Sequence, residues 1–145
     1  MYAATDSPDP ADSSGGGDPS DALVAEIRRL GDRLRSMSLD SLGAAREGGA
    51  SPAELAHELA QGLADAARGL GTVRGLADQD RATAAGSSMV VPYLGEMYAG
   101  DQVVVLGREL LTTCEGARES GVDEAAITAT LIDAVRQCRE LRLRL

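Results

Sequence analysis

The 145-residue sequence contains no Phe, no Trp, no Lys and no Asn, and its tyrosines are Tyr2, Tyr93 and Tyr98 alone. Each absence removes a class of function. A chain without lysine has no amine for a Schiff base and cannot complete a P-loop, whose phosphate cradle ends in Lys. The segment GDQVVVLGREL lacks the glycine spacing as well. With so few aromatic rings, base-stacking and sugar platforms lose their usual side chains. There is no G-x-S-x-G elbow. The single histidine, His57, and two cysteines, Cys114 and Cys138, leave little for a metal cage or a nucleophilic pair. No apolar run approaches the roughly 20 residues that span a bilayer. The first twenty residues are polar and acidic, without the apolar core of a secretory signal. The reading is a cytoplasmic protein with no membrane segment.

What is present points to helices. Hydrophobic residues make up 43% of the chain, enough for one compact core. Most are Ala, Leu and Val, and Ala and Leu are strong helix formers. The formal net charge is −9. Five aspartates, Asp6, Asp9, Asp12, Asp18 and Asp21, fall in residues 1–21, which hold no base; without them 18 acids face 14 bases, a balance of −4. Such a domain generates no field to attract phosphate backbones, so nucleic acid is disfavoured as a partner. Arg28, Arg29, Arg33 and Arg35 cluster, as do Arg136, Arg139, Arg142 and Arg144. Both groups read as solvated helix faces, the second complementing a helix C-terminus.

Residues 1–18 combine Pro, Gly, Ser and Asp with almost no aliphatic side chains, the composition of a disordered leader. The helical domain then spans 19–145. Asp18 or Ser20 can cap its first helix, with Pro19 in the first turn. Leu23, Ile27, Leu30, Leu34 and Met37 repeat at intervals of four and three, an a/d seam suited to a bundle or a coiled coil. Around Ser36, Ser38, Asp40 and Gly43 that seam blurs, and Gly43 to Ala50 reads as a loop. The clearest element is SPAELAHELAQGLADAARGLG, residues 51–71. Ser51 is an N-cap, Pro52 occupies the first helical position, and Glu54 completes a capping box. Leu55, Leu59, Leu63, Ala66, Leu70 and Val73 form its stripe, with Gly69 and Gly71 as stop signals. Residues 72–88 carry the weakest pattern: Val73, Leu76 and Ala77 allow the helix to extend as far as Ala85, Gly75 weakens it, and Gly86 to Ser88 mark a break.

Residues 89–106 are ambiguous, because MVVPYL and QVVVLG are rich in β-branched residues. A two-stranded unit would leave unsatisfied edges in a helical domain, so the expectation is a helix bent near Gly100 and recapped by Asp101. Val103, Leu106, Leu110, Cys114 and Ala117 then form a stripe. Gly121 closes that helix, Asp123 caps the last one, and Val122 staples to Ile127. Ile127, Leu131, Ala134, Cys138, Leu141 and Leu145 complete the pattern. If these last two helices form a side-by-side hairpin, Cys114 and Cys138 stand roughly 16 Å apart along it. A disulfide needs α-carbons within about 7 Å, so both read as buried free thiols.

Two motifs nearly form around His57. HELAQ opens like the zinc-protease pattern H-E-x-x-H but has Gln61 where the second histidine belongs. Glu54 and His57 make one E-x-x-H pair, which dimetal bundles use twice. His57 lies about 200° around the helix from Leu55, away from the apolar stripe and towards solvent. These readings lead to an all-α protein, an antiparallel four-helix bundle with a disordered leader. Its expected role is that of a small, non-enzymatic interaction or regulatory module that self-associates as a homodimer, with no cofactor, no metal and no assigned catalytic residue. Tyr93, Met97, Tyr98 and Val103, with Leu30 and Leu34 of the first helix, are the candidate interface for a protein partner. The alternative is a bundle ligand carrier, or a metal-dependent enzyme using Glu54 and His57 across a dimer.

Overall fold

A computed structural model describes residues 17–45, 49–75 and 90–145. Residues 1–16 of the expected 1–18 leader, residues 46–48 of the expected loop, and residues 76–89, which include most of the weakly patterned 72–88 stretch, lie outside this described set. All regular structure among the described residues is helical. The elements are α1 (Pro19–Ser36), α2 (Leu39–Gly43), α3 (Pro52–Gly75), a 3-10 turn (Glu96–Tyr98), α4 (Ala99–Glu119) and α5 (Glu124–Arg144). No helix among them is long and apolar enough to cross a membrane.

The helix starts follow from local chemistry. Asp18 caps α1 by accepting a hydrogen bond from the Ser20 N–H at 2.9 Å, with Pro19 first in the helix. At α3 the capping box is reciprocal: the Ser51 hydroxyl accepts from the Glu54 N–H at 3.2 Å, and the Glu54 carboxylate accepts from the Ser51 N–H at 2.7 Å. Those bonds to the ionised form, the backbone one first, hold the Glu54 carboxyl below its ordinary range. Between α4 and α5, Gly121 adopts φ +79°, a left-handed conformation that costs other residues energy. The Val122 N–H reaches back to the Ala117 carbonyl at 3.0 Å, and Asp123 caps α5 through the Ala125 N–H.

Several boundaries differ from expectation. Helix α3 continues through Gly69 and Gly71 to Gly75. A helical glycine costs only about 1 kcal/mol, and the buried Leu70 between the two anchors the turn. The stretch where the first seam blurs holds a separate short helix, α2, capped by Ser38. Residues 90–95 are not helical, and α4 begins at Ala99, so Gly100 is a helical residue and Asp101 is not a cap. The Asp101 carboxylate instead pairs with Arg35 of α1 at 2.8 Å.

The core holds Leu23, Leu30 and Leu34 from α1, Leu63 from α3, Leu110 and Cys114 from α4, and Ile127, Leu131 and Cys138 from α5. Each such aliphatic side chain contributes about 1.5–3 kcal/mol through burial. On α3 the buried face combines Ala53, Ala56, Ala60 and Ala67 with Leu59, Leu63 and Leu70, while Leu55 and Ala66 are only partly covered. Helix α4 packs chiefly on α3 and α1, and α5 chiefly on α1. Helices α4 and α5, expected side by side, meet sparsely instead, and the hairpin register used to separate the cysteines does not apply. Both cysteines are nevertheless buried and free.

The α1–α4 contact is close because glycines line it. A Cβ on Gly31 would lie 2.6 Å from Val104 Cγ2, one on Gly107 would lie 2.7 Å from Ile27 Cγ2, and one on Gly100 would lie 3.0 Å from the Gly31 carbonyl oxygen. As α1 falls from Gly31 to Ile27, α4 rises from Gly100 to Gly107, so these two helices run in opposite directions along their contact. On its other side α1 meets α5 with Glu26 beside Arg139 and Arg142 and Arg33 beside Leu145, an ascent in the same direction.

Candidate interaction surface

Residues 90–98 form a strap that lies over the N-terminal half of α3 and leads into α4. Pro92 removes one backbone donor and biases Val91 towards an extended conformation. Gly95 turns the chain at φ +96°, and the Tyr98 N–H closes the 3-10 turn on the Gly95 carbonyl at 3.2 Å. An extended segment must find partners for its backbone, and here two side-chain amides supply them. Gln61 Oε1 of α3 accepts from the Val91 N–H at 2.8 Å, and Gln102 Nε2 of α4 donates to the Pro92 carbonyl at 2.6 Å. Gln102 is itself buried. These bonds take the place of a strand partner.

The strap also covers His57. The Tyr93 ring meets the imidazole edge-on, with centroids 5.4 Å apart and planes at 87°, a favoured aromatic geometry. His57 lies off the core, as its place on α3 implies, but the expectation of a freely solvated imidazole is corrected: the residue is half-buried, and its Nδ1 is buried with no hydrogen-bond partner among the described residues. Partial loss of water, followed by the nearby Glu96 and Glu54 carboxylates, pushes the Tyr93 phenol up from its ordinary range.

With its polar backbone turned inward, the strap presents its large apolar side chains to solvent. Val90 is 70% exposed, Met97 63%, Leu94 54%, Tyr98 47% and Tyr93 46%. Five large apolar residues are thus exposed within one short segment, and concentrations of exposed apolar surface mark candidate interaction sites. Of the six candidate interface residues, Tyr93, Met97 and Tyr98 are exposed on this segment. Leu30, Leu34 and Val103 do not: all three are completely or almost completely buried in the core. The α1 seam packs within the chain on α4 and α5, and its Leu23, Ile27, Leu30 and Leu34 are buried.

The catalytic possibilities can be placed just as plainly. The Glu54 carboxylate is engaged by the Ser51 N–H, and His57 packs against Tyr93, so neither points into the helix-packing interior where bundle metals sit. Among the described residues no three His, Cys, Asp or Glu side chains gather as a metal set. Burial pushes the Cys114 thiol up and the Cys138 thiol up to about 12, which keeps both in the unreactive protonated form at neutral pH.

One charged arrangement escaped sequence reasoning. Glu26 is buried, and Arg29, Arg139 and Arg142 converge on it at 2.9, 3.8 and 3.1 Å. The two arginine clusters, read as solvated faces, therefore meet on one carboxylate that ties α1 to α5. A signal existed: Glu26 lies three residues after Leu23 and four before Leu30, on the border of the buried seam.

Comparison with protein-family models, with curated proteins and with solved structures found no match for this chain. Function is therefore argued from the geometry alone.

Proposed function

We propose that this protein is a small, non-enzymatic interaction module that self-associates through the 90–98 strap, acting in the cytoplasm as a regulatory or scaffolding helical domain. The four long helices close into a single bundle, antiparallel between α1 and α4, with the strap as its interface. One observation carries this reading: Val90, Tyr93, Leu94, Met97 and Tyr98 are exposed together on a segment whose backbone is anchored at Gln61 and Gln102. Anchoring lowers the ordering cost of binding, because the apolar groups are already held in place. A second copy supplies the same patch, and a two-fold axis brings each patch onto its twin. The buried, protonated thiols, the Glu54 carboxylate engaged in its cap and the His57 ring packed against Tyr93 support an interaction role over a catalytic one.

Light scattering after gel filtration tests this directly. The intact protein is expected to show dimer mass at high concentration, and Leu94→Ser/Met97→Ser is expected to show monomer mass with unchanged helical circular dichroism. A strict monomer at the highest attainable concentration, or a dimer indifferent to the double substitution, overturns the proposal.

A further inference from the structure

On another face of the molecule, the α1–α4 seam opens outward into a cleft of about 390 Å³. Its floor is apolar, formed by Ile27, Val104 and Val24, the last about half exposed. One end is closed by Arg35, which bridges the helices by pairing with Asp32 of α1 and Asp101 of α4. Towards Val24 the walls are built differently. Arg28 follows Ile27 and Arg108 follows Gly107, and Ile27 meets Gly107 across the seam, so the two arginines rise from opposite walls of the cleft near one level. Neither has an ion-pair partner among the described residues, whereas Arg29, Arg35, Arg68, Arg118, Arg136, Arg139 and Arg142 all have one. In a chain of net charge −9, two uncompensated cations flanking an apolar groove form a local anomaly.

We infer that the α1–α4 cleft is a docking groove for an acidic amphipathic helix of a partner protein, whose apolar side chains lie on Val24, Ile27 and Val104 and whose carboxylates are taken by Arg28 and Arg108. The groove runs from Val24 to Arg35 along α1, about 16 Å at 1.5 Å per residue, the length of three helical turns. That matches the i, i+3, i+4, i+7 anchors of helix-in-groove recognition. Arginine presents a planar fork that grips a carboxylate through two parallel hydrogen bonds, and a pair on facing walls fixes the axial position of the guest. The tight glycine contacts beneath keep the floor rigid, so the groove needs little rearrangement to bind. This surface is separate from the strap, and its occupancy does not depend on self-association.

The test uses the full chain and a fluorescein-labelled, Leu/Glu amphipathic helix of about 14 residues, followed by anisotropy, with a Leu/Lys helix of the same pattern as the opposite-charge probe. The acidic helix is expected to bind in the micromolar range, more weakly as salt rises, and the basic helix not to bind. Arg28→Gln/Arg108→Gln is expected to weaken the acidic helix by about tenfold or more. Arg28→Glu/Arg108→Glu is expected to exchange the preference, binding the basic helix instead. Both arginines lie on the surface outside the ion-pair network, and circular dichroism checks that each variant folds. The proposal is overturned if the acidic helix does not bind, if binding is unchanged in Arg28→Gln/Arg108→Gln, or if Val24→Asp leaves it intact. Leu94→Ser/Met97→Ser, which disrupts the strap, is expected to leave this binding unchanged.

Discussion

The α1–α4 seam and the 90–98 strap adjoin the same end of α4, and both are rich in valine, leucine and glycine, yet they use their apolar groups in opposite ways. In the seam, helix geometry satisfies the backbone internally, so a stripe of side chains is free to pack, and Gly31, Gly100 and Gly107 bring the helices into near contact. In residues 90–95 of the strap, ahead of the 3-10 turn, the backbone has no such helical ladder. It reaches the amides of Gln61 and Gln102, and the apolar side chains are turned outward. Hydrophobic content alone did not decide which region became core. The route by which each segment satisfies its N–H and C=O groups did.

The comparison can be broken most forcefully at the charge cluster that fixes the other side of α1. Replacing Arg29, Arg139 and Arg142 together by Ala leaves the Glu26 carboxylate buried without counter-charge, and urea unfolding is expected to report a loss of about 3–5 kcal/mol. Glu26→Gln, which leaves three substantially exposed arginines to water, is expected to cost clearly less. Equal losses for the two variants would mean that packing, and not the buried charge, holds α5 to α1.

Glycines give the next largest effect. Gly107→Ala forces a methyl against the stiff, branched Ile27, and overpacking of this kind costs about 1–3 kcal/mol despite better helix propensity. Gly69→Ala meets no atom within 4 Å on the exposed side of α3 and is expected to stabilise the protein by about 0.5–1 kcal/mol. Opposite signs in thermal unfolding are the expected result; the same sign for both would mean that the seam is looser than its distances indicate.

The α3 cap should give a smaller, pH-dependent effect. Ser51→Ala is expected to cost about 1 kcal/mol. For Glu54 the folded-state pKa lies below the ordinary value of 4.5, so its contribution is present above that value and is lost as pH falls through the folded pKa. Glu54→Gln should therefore melt below the parent protein at pH 7 and converge with it in acid. A gap of constant size across the whole acid titration would show that the carboxylate charge is irrelevant there.

The smallest stability effect is expected in the strap. Leu94→Ser/Met97→Ser should change unfolding free energy by less than about 0.5 kcal/mol, as exposed positions do, while abolishing self-association. A large destabilisation would move the strap into the same category as the seam. Thiol labelling sharpens the contrast: Cys114 and Cys138 should be protected in the folded protein and both react in denaturant, because burial raises their pKa values.

What the sequence by itself determined was everything that closes within a turn or two of chain. The Ser51–Glu54 box, the Asp18 and Asp123 caps, the Gly121 turn and the stripes of α1 and α5 were all legible, because each partner lies a few residues away and the geometry is dictated by the helix. Tyr93, Tyr98 and Met97, singled out in the sequence, are exposed on the strap. Tertiary structure alone decided that Leu30, Leu34 and Val103 belong to the core, that α4 turns away from α5 to pack on α1 and α3, and that residues 90–95 leave the helix. It also decided the fate of Glu26, whose bond to Arg142 joins residues 116 positions apart. The physical reason is the same in each case: periodicity shows that a face must be covered, but which segment covers it depends on shape and charge contributed from elsewhere in the chain.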